Sequence, residues 1–489
     1  MPINEIVQYL KSEQYKQAES AAIEALRANR SDVRCWRLLG EALREQGYGG
    51  SARRAFRRAW LLDPVRNEWE DLERRLRHIP EGEERVDIEG LLHVPRVTVS
   101  AAMIVKDAET TIERSLRSLQ GAVDRIMLFD YGSTDRTMQI AETVPDVEIH
   151  RLEWKDSFGS LRNEALERLD TDWVLWLNGD EWLHEDDRDA VREAAGCFKA
   201  LSRPVALHIL QLSQMKENGV VREGVSRGRL FPLGQGLRFY GRVYEQVGTL
   251  QGGMYDPHLL KGMIGIRCLS APGGTESSAE ADKQHTERNR TMLLRMVKEE
   301  PNNPLWWYYL GKETLSAQGL EESVVYLRTS LQAAELQPRF TRHVDVYKLL
   351  LKAYRKLGDE RGMEETYQAM VSAEPKHPDV QLLWAKRKRS LAARSLREAI
   401  RHLETAKRNS LMYRGPMAAD RAILEYQADL AYADALSQLG LLAEADQFYA
   451  RHEQRSEVRE YVASRREWIR KQAERLEKPQ NRKGIEHDK

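Results

Sequence analysis

The sequence predicts an α/β domain, a Rossmann-like and mostly parallel sheet, set between two all-α helical arrays. Short apolar and β-branched runs alternate with helical stretches between residues 96 and 177. Large and small apolar residues recur at a long fixed period before residue 80 and again after residue 300. The length, 489 residues, exceeds what one core can serve and points to about three domains.

RVTVSAAMIV (96–105), DRIMLFDYG (124–132), PDVEIHRLEW (145–154) and TDWVLWL (171–177) are strand-like runs. Between them, ETTIERSLRSL and SLRNEALERL repeat apolar residues at helical spacing. Strand, helix, strand, helix implies parallel strands with both faces covered.

At the amino-terminal side, Trp36, Leu39, Gly40, Leu43, Gly47, Ala52, Phe56, Ala59 and Pro64 fall on the spacing of a tetratricopeptide repeat. Gly40 and Ala52 are small enough to let antiparallel helices approach, while Trp36, Leu39 and Phe56 fill the gap between them. Tyr15, Ala18 and Ala25 suggest a less regular preceding unit. The register returns at Tyr347, Leu350, Tyr354, Gly358, Met363, Tyr367 and Pro375, and again at Tyr432, Leu436, Gly440, Ala445 and Tyr449. A unit around Gly311 and Gly319 has a spacing one residue longer than the consensus, and a degenerate unit is expected between the two later ones. Several units in register form a solenoid. The expected domains are repeats over 1–80, a charged linker over 81–95, the sheet domain over 96–283, repeats over 284–475 and a disordered tail over 476–489.

Composition narrows the function classes. Basic and acidic residues balance at 76 each, so no net charge draws the chain to nucleic acid or an anionic membrane. Cys35, Cys197 and Cys268 are odd in number and far apart, with no CxxC pair, which argues against a disulfide framework or a zinc site and fits a reducing compartment. The start, MPINEIVQYLKSEQYKQAES, carries no signal-like apolar core, and no stretch approaches membrane-spanning length. A soluble, cytoplasmic protein is the expectation, with no membrane insertion.

Polar residues crowd the carboxyl ends of the expected strands: Val105, Lys106 and Asp107 after the first, Asp130 after the second, and Asn178, Gly179, Asp180 and Glu181 after the fourth. Ligands of open α/β sheets bind at that edge. Gly132, Ser133, Thr134 and Asp135 suit either a tight exit and helix cap or part of that crevice. No phosphate-cradling glycine loop accompanies these acids, so a divalent cation held by one or two carboxylates and by substrate phosphates is a reasonable means of gripping a nucleotide. Asp180 is the foremost ligand candidate.

The blocks AAMIVKDAETTIERSLRSL, VDRIMLFDYGSTDRT, EWKDSFGSLRNEAL, DWVLWLNGDEWL and RLFPLGQGLRFYGRVYEQV, ordered over roughly residues 97–250, closely resemble inverting family-two glycosyltransferases of the GT-A fold. Within them the chain is similar to the bacterial branch fused to tetratricopeptide repeats. The resemblance implies a nucleotide-sugar donor, a UDP-sugar in the first instance. Val105, Lys106, Asp107, Asp130, Gly132, Ser133 and Asp135 would line the nucleoside side, and Arg162 and Asn163 match the family's RN pair beside the donor. Asn178, Gly179 and Asp180 occupy the DxD position, with Asp180 and Asn178 as ligands of Mn2+ or Mg2+. The chain departs from the family pattern at Asn178, usually Asp, at Tyr244, usually His in GRxHE, and around Cys268, where relatives often carry a His-containing segment. An amide oxygen binds these cations without bringing charge, so weak or dispensable metal binding is expected.

Inverting transfer needs a base for the acceptor proton and charge compensation on the departing diphosphate. Glu245 and Glu181 are the catalytic candidates, with Glu245 slightly ahead; an ion pair of Glu245 with Arg242 or Arg229 is the structural alternative. Arg227 and Arg229 could offset diphosphate charge. Trp173 and Trp176 read as sheet packing, Trp182 as a fair acceptor contact, and His184 as a loop residue. Flanking solenoids suggest a protein or peptide acceptor, with homodimerisation a compatible use. The alternatives are a pseudo-glycosyltransferase scaffold and an enzyme extending a cell-surface polysaccharide.

Overall fold

Val99–Val105 (β1) is apolar at nearly every position and buried at all seven, as a strand covered on both faces must be. Its period of two feeds two cores. Val99, Ala101, Met103 and Val105 join one cluster, while Ala102 and Ile104 join the other. The structure is a computed structural model and describes residues 2–64, 78–214, 221–270, 279–412 and 422–477. Contacts divide the chain into units of Met1–Glu360 and Arg361–Lys489.

The first unit opens with helices Pro2–Lys11 (α1), Tyr15–Ala28 (α2), Val33–Glu45 (α3) and Gly49–Leu62 (α4). Trp36, Leu39, Ala52 and Phe56 share their buried core. A Cβ at Gly40 would lie 2.8 Å from the Phe56 ring, so only glycine permits this approach of α3 and α4. The segment 81–95 carries a short helix, Val86–Leu92 (α5), whose Ile88 and Leu91 are buried in that same core. Arg58, only 2% exposed, pairs with Glu193 of the sheet domain at 2.7 Å.

The sheet domain alternates β1, Ile112–Leu119 (α6), Arg125–Asp130 (β2), Thr137–Glu142 (α7), Val147–Arg151 (β3), Phe158–Leu166 (α8) and Trp173–Trp176 (β4). β1 pairs in parallel with β2 and β4, and β2 with β3. Beyond the strands read from sequence come Glu181–Leu183 (β5), Arg188–Phe198 (α9), Val205–Gln214 (β6), Val221–Pro232 (β7), Leu237–Tyr240 (β8), Gln246–Thr249 (β9) and Leu260–Ser270 (β10). The eight-stranded order is β3-β2-β1-β4-β7-β6-β10-β5, and β8 with β9 forms a separate antiparallel pair. β7 runs antiparallel to both β4 and β6. The result is a parallel first half, β3 to β4, continued by antiparallel β7 and β6, then by β10 parallel to β6 and β5 antiparallel to β10.

The all-helical region begins with Ala279–Glu299 (α10), Pro304–Ser316 (α11), Leu320–Glu335 (α12) and His343–Leu357 (α13). Gly311 repeats the Gly40 device, since a Cβ there would lie 2.6 Å from Leu327 of α12. The second unit contains most of Glu360–Ala373 (α14), then Pro378–Met412 (α15), Ala428–Gln438 (α16), Leu442–Ala450 (α17) and Arg459–Glu477 (α18). Where a degenerate repeat was expected, α15 runs unbroken for 35 residues, because KRKRSLAARSLREAIRHLETAKR contains no Gly or Pro to end a helix. Of the expected tail, 478–489 lies outside the described residues. No helix among the described residues is long and apolar enough to cross a membrane.

Candidate functional site

Parallel pairing sets the site. Val105 sits opposite Asp130 in register, so β1 and β2 end at one level, and β4 delivers Asn178 beside them. A cavity of about 360 Å³ opens at this edge. Its wall includes Val105, Lys106, Asp107, Tyr131, Phe158, Arg162, Asn178, Gly179, Asp180, Tyr244 and Glu245. Chain segments more than 130 residues apart in sequence thus meet here, as ligand sites of open sheets do.

Asn178 is the hub of the floor. Its backbone N–H donates to Glu181 Oε2 at 2.8 Å, and its amide Oδ1 accepts from Arg162 Nη2 at 3.2 Å and Arg229 Nη1 at 3.4 Å. Gly179 turns its carbonyl to the Thr111 and Ser115 hydroxyls, at 2.8 and 2.9 Å. Asp180 faces the cavity, where burial first, and then the nearby Glu181 charge, raise its carboxyl above the usual aspartate range.

Arg162 is 6% exposed and donates through Nε to Glu245 Oε1 at 2.8 Å. Its guanidinium also lies over Trp176, 4.9 Å from the ring centroid. Glu245 therefore pairs with Arg162, whereas Arg242 pairs with Glu299 at 2.7 Å and Arg229 with Glu181 at 2.9 Å. The structural alternative drawn from sequence named the wrong arginines, because proximity in the fold, not along the chain, chooses the partner.

Several expected positions serve the scaffold. Glu181 is 2% exposed, holds Arg229, Gln211 and the Asn178 N–H, and is absent from the cavity wall. That placement removes it as an accessible base. Asp130 accepts from the N–H groups of Gly132 and Ser133, at 3.3 and 3.0 Å, and Asp135 accepts from those of Glu109 and Thr137, at 3.0 and 2.9 Å. Gly132, with φ of 112°, makes the turn that Asp130 caps. Asn163 exchanges hydrogen bonds of 2.9 and 2.8 Å with the backbone of Phe239, anchoring β8. None of these, nor Arg229, lines the cavity. Asp107 does, yet its carboxylate also accepts from the Thr134 N–H at 2.7 Å, tying the exits of β1 and β2 together. The Arg227 side chain lies outside the described residues.

Tyr244, standing where the family pattern has His, takes a left-handed backbone with φ of 55°. Its ring stacks on Tyr309 of α11 with centroids 4.1 Å apart and planes 2° off parallel, and its hydroxyl donates to buried Glu313 on the next turn. A Cβ on neighbouring Gly241 would come within 2.7 Å of Trp306, also on α11. The GRVYE loop is thus moulded to α11, and the phenol has a partner that an imidazole would not reach in the same way.

The structure adds Tyr131, Phe158, Arg288 and Asn289 to the wall. Arg288 and Asn289 come from α10, outside the resembling blocks, so no local motif announces them. Phe158 sits in EWKDSFGSLRNEAL and was legible as aromatic but not as a wall residue. Trp182 is 9% exposed, with the Arg114 guanidinium 3.8 Å from its ring centroid, so that face is not open to a sugar. It borders a separate surface cavity of about 550 Å³ with Arg114, Arg188 and His184.

The donor set gives a mixed test for Mn2+ or Mg2+. A cation at Asn178 Oδ1 would share that oxygen with Arg162 and Arg229, two positive groups, so the amide does not fit a ligand role. Asp180 fits as a single carboxylate ligand completed by substrate phosphates. Among the described residues, no cluster of three or more His, Cys, Asp or Glu is arranged to hold a metal.

Parts of the chain are similar to known proteins. Residues 100–194 match the family described as Glycosyl transferase family 2. The SPbeta prophage-derived glycosyltransferase SunS of Bacillus subtilis (strain 168) is 25% identical over 235 residues, 48% of this chain and 53% of SunS. The chain thus spans about half the length of that relative. TPR repeat-containing protein Synpcc7942_0270 of Synechococcus elongatus is 33% identical over 150 residues, 30% of this chain and 35% of that protein. Among solved structures, S. aureus TarS 1-349 in complex with UDP-GlcNAc aligns at 15% identity with a TM-score of 0.31, covering 57% of this chain and 93% of TarS 1-349.

Proposed function

Taking the sheet domain as a family-two glycosyltransferase domain, we propose that the chain moves a sugar from a nucleotide-sugar donor, a UDP-sugar first, to a protein or peptide acceptor. The observation that carries this reading is the strand-end cavity in which Asp180, Arg162 and Glu245 meet. Aromatic Tyr131 and Phe158 offer apolar surface for a base or sugar ring, and Lys106 and Asp107 offer polar contacts at the β1 exit. The helical repeats support a polypeptide acceptor, since solenoid surfaces commonly bind extended chains.

Glu245 is the candidate base in the cavity wall. In the proposed reaction its carboxylate takes the proton from an acceptor hydroxyl or thiol as that oxygen or sulfur bonds to the anomeric carbon. The anomeric C–O bond breaks with its electron pair passing to the diphosphate oxygen, and the configuration at carbon inverts. Arg162 orients Glu245 and must loosen its hold as the proton arrives. A divalent ion bound by Asp180 and the donor phosphates would supply charge compensation to the leaving group.

A scaffold reading draws on the fact that Glu245 is ion-paired. Donor turnover separates the two. The transferase reading expects release of nucleoside diphosphate from a UDP-sugar, reduced by roughly 10²–10⁴ in Glu245→Gln with donor affinity kept. Donor binding without turnover, identical in wild type and Glu245→Gln, would favour the scaffold.

A further inference from the structure

We propose that Arg288, carried by the helix that opens the carboxyl-terminal array, is the cation that grips the donor diphosphate, with Lys106 as its companion. The inference rests on reading the cavity as a nucleotide-sugar site. It assigns to a helix outside the sheet the charge compensation that the Asn178 position cannot give.

A nucleoside diphosphate brings at least two negative charges, which a cavity of this kind must offset. Arg162 is bound to Glu245 and Asn178, and Arg229 to Glu181 and Asn178, so neither brings uncompensated charge. Without a bound cation, Asp180 and Asp107 on the same wall add negative charge and repel the diphosphate. Among the described residues, Arg288 and Lys106 are the other cations of the wall, and neither is ion-paired to a carboxylate there. The Arg288 guanidinium lies over the Phe158 ring, 5.3 Å from its centroid, and among the described residues it donates through Nη2 to Asn289 Oδ1 at 3.3 Å. Stacking on a wall aromatic holds the planar fork at the cavity while its remaining N–H groups stay available, the arrangement suited to bidentate phosphate contact.

The test is calorimetric titration of the full chain with UDP and with inorganic pyrophosphate, in EDTA and then in Mg2+. Wild type is compared with Arg288→Gln, Arg288→Lys and Arg295→Gln. Arg295 lies on the same helix but pairs with Asp156 and is not part of the cavity wall. The expected result is UDP binding that persists in EDTA, weakened roughly ten- to hundredfold by Arg288→Gln, partly restored by Arg288→Lys and unchanged by Arg295→Gln. Arg288 is exposed, so Arg288→Gln is expected to keep the wild-type unfolding midpoint, which checks that the loss is not misfolding. UDP affinity in Arg288→Gln within twofold of wild type, or binding that vanishes in EDTA, would overturn the proposal while leaving the nucleotide site intact. Silence of wild type toward both probes in both buffers would instead remove the nucleotide-sugar reading itself, and this proposal with it.

Discussion

Arg162 and Glu245 form a buried ion pair at 2.8 Å, their side chains 7% and 8% exposed. The same guanidinium reaches Asn178, so one residue of α8 ties the strand-end turn to the GRVYE loop. Arg162→Ala would strand a carboxylate in a buried place. A destabilisation of about 3–5 kcal/mol is expected, read as a shift of the urea midpoint. Arg162→Met with Glu245→Leu, which removes both charges, is expected to recover most of that loss. Equal destabilisation in the single and double variants would show that the pair is not the reason.

The contact of Tyr244 with Glu313 makes a separable prediction. Tyr244→Phe keeps the ring stacked on Tyr309 but takes the hydroxyl donor from a carboxylate that is 7% exposed. The expected cost is about 1–3 kcal/mol. Adding Glu313→Leu removes the orphaned acceptor and should return part of it, a coupling that a double-mutant cycle in chemical denaturation measures directly.

Asp180 gives a pH dependence. Its folded carboxyl titrates above the unfolded one because burial and then Glu181 disfavour the charge. Below the unfolded value both states hold the proton and no penalty exists. As pH rises through the folded value the penalty grows, and above it the penalty is complete. Asp180→Asn should therefore raise the unfolding midpoint at pH 8 by roughly 1–2 °C per kcal/mol relieved, with the gain shrinking as pH falls toward the ordinary aspartate range. A gain that increases on acidification would contradict the stated cause.

Periodicity made the first half of the sheet readable, since β1 to β4 are short, apolar and punctuated by helices with clear polar faces. The strands from β5 to β10 were not separated, because long strands such as Val221–Pro232 mix Arg, Glu and Gly with apolar residues and so lack a clean period. At the site, strand ends could be listed from sequence but not sorted into wall and support. Asp130 and Asp180 look alike as residues. One caps a turn through backbone N–H groups, while the other faces the cavity. Arg288, Tyr309 and Glu313 were illegible for a different reason: they belong to helices whose own pattern reports only helix packing.

On the proposed function, the strand-end cavity holds a nucleotide sugar. Calorimetric titration of the full chain with UDP-GlcNAc and UDP-glucose, with Mn2+ present, tests it most directly. One saturable site per chain is expected for at least one donor, with a Kd of about 1 μM to 1 mM. Wild-type protein that is folded yet gives no saturable heat with any UDP-, GDP- or dTDP-sugar would contradict it.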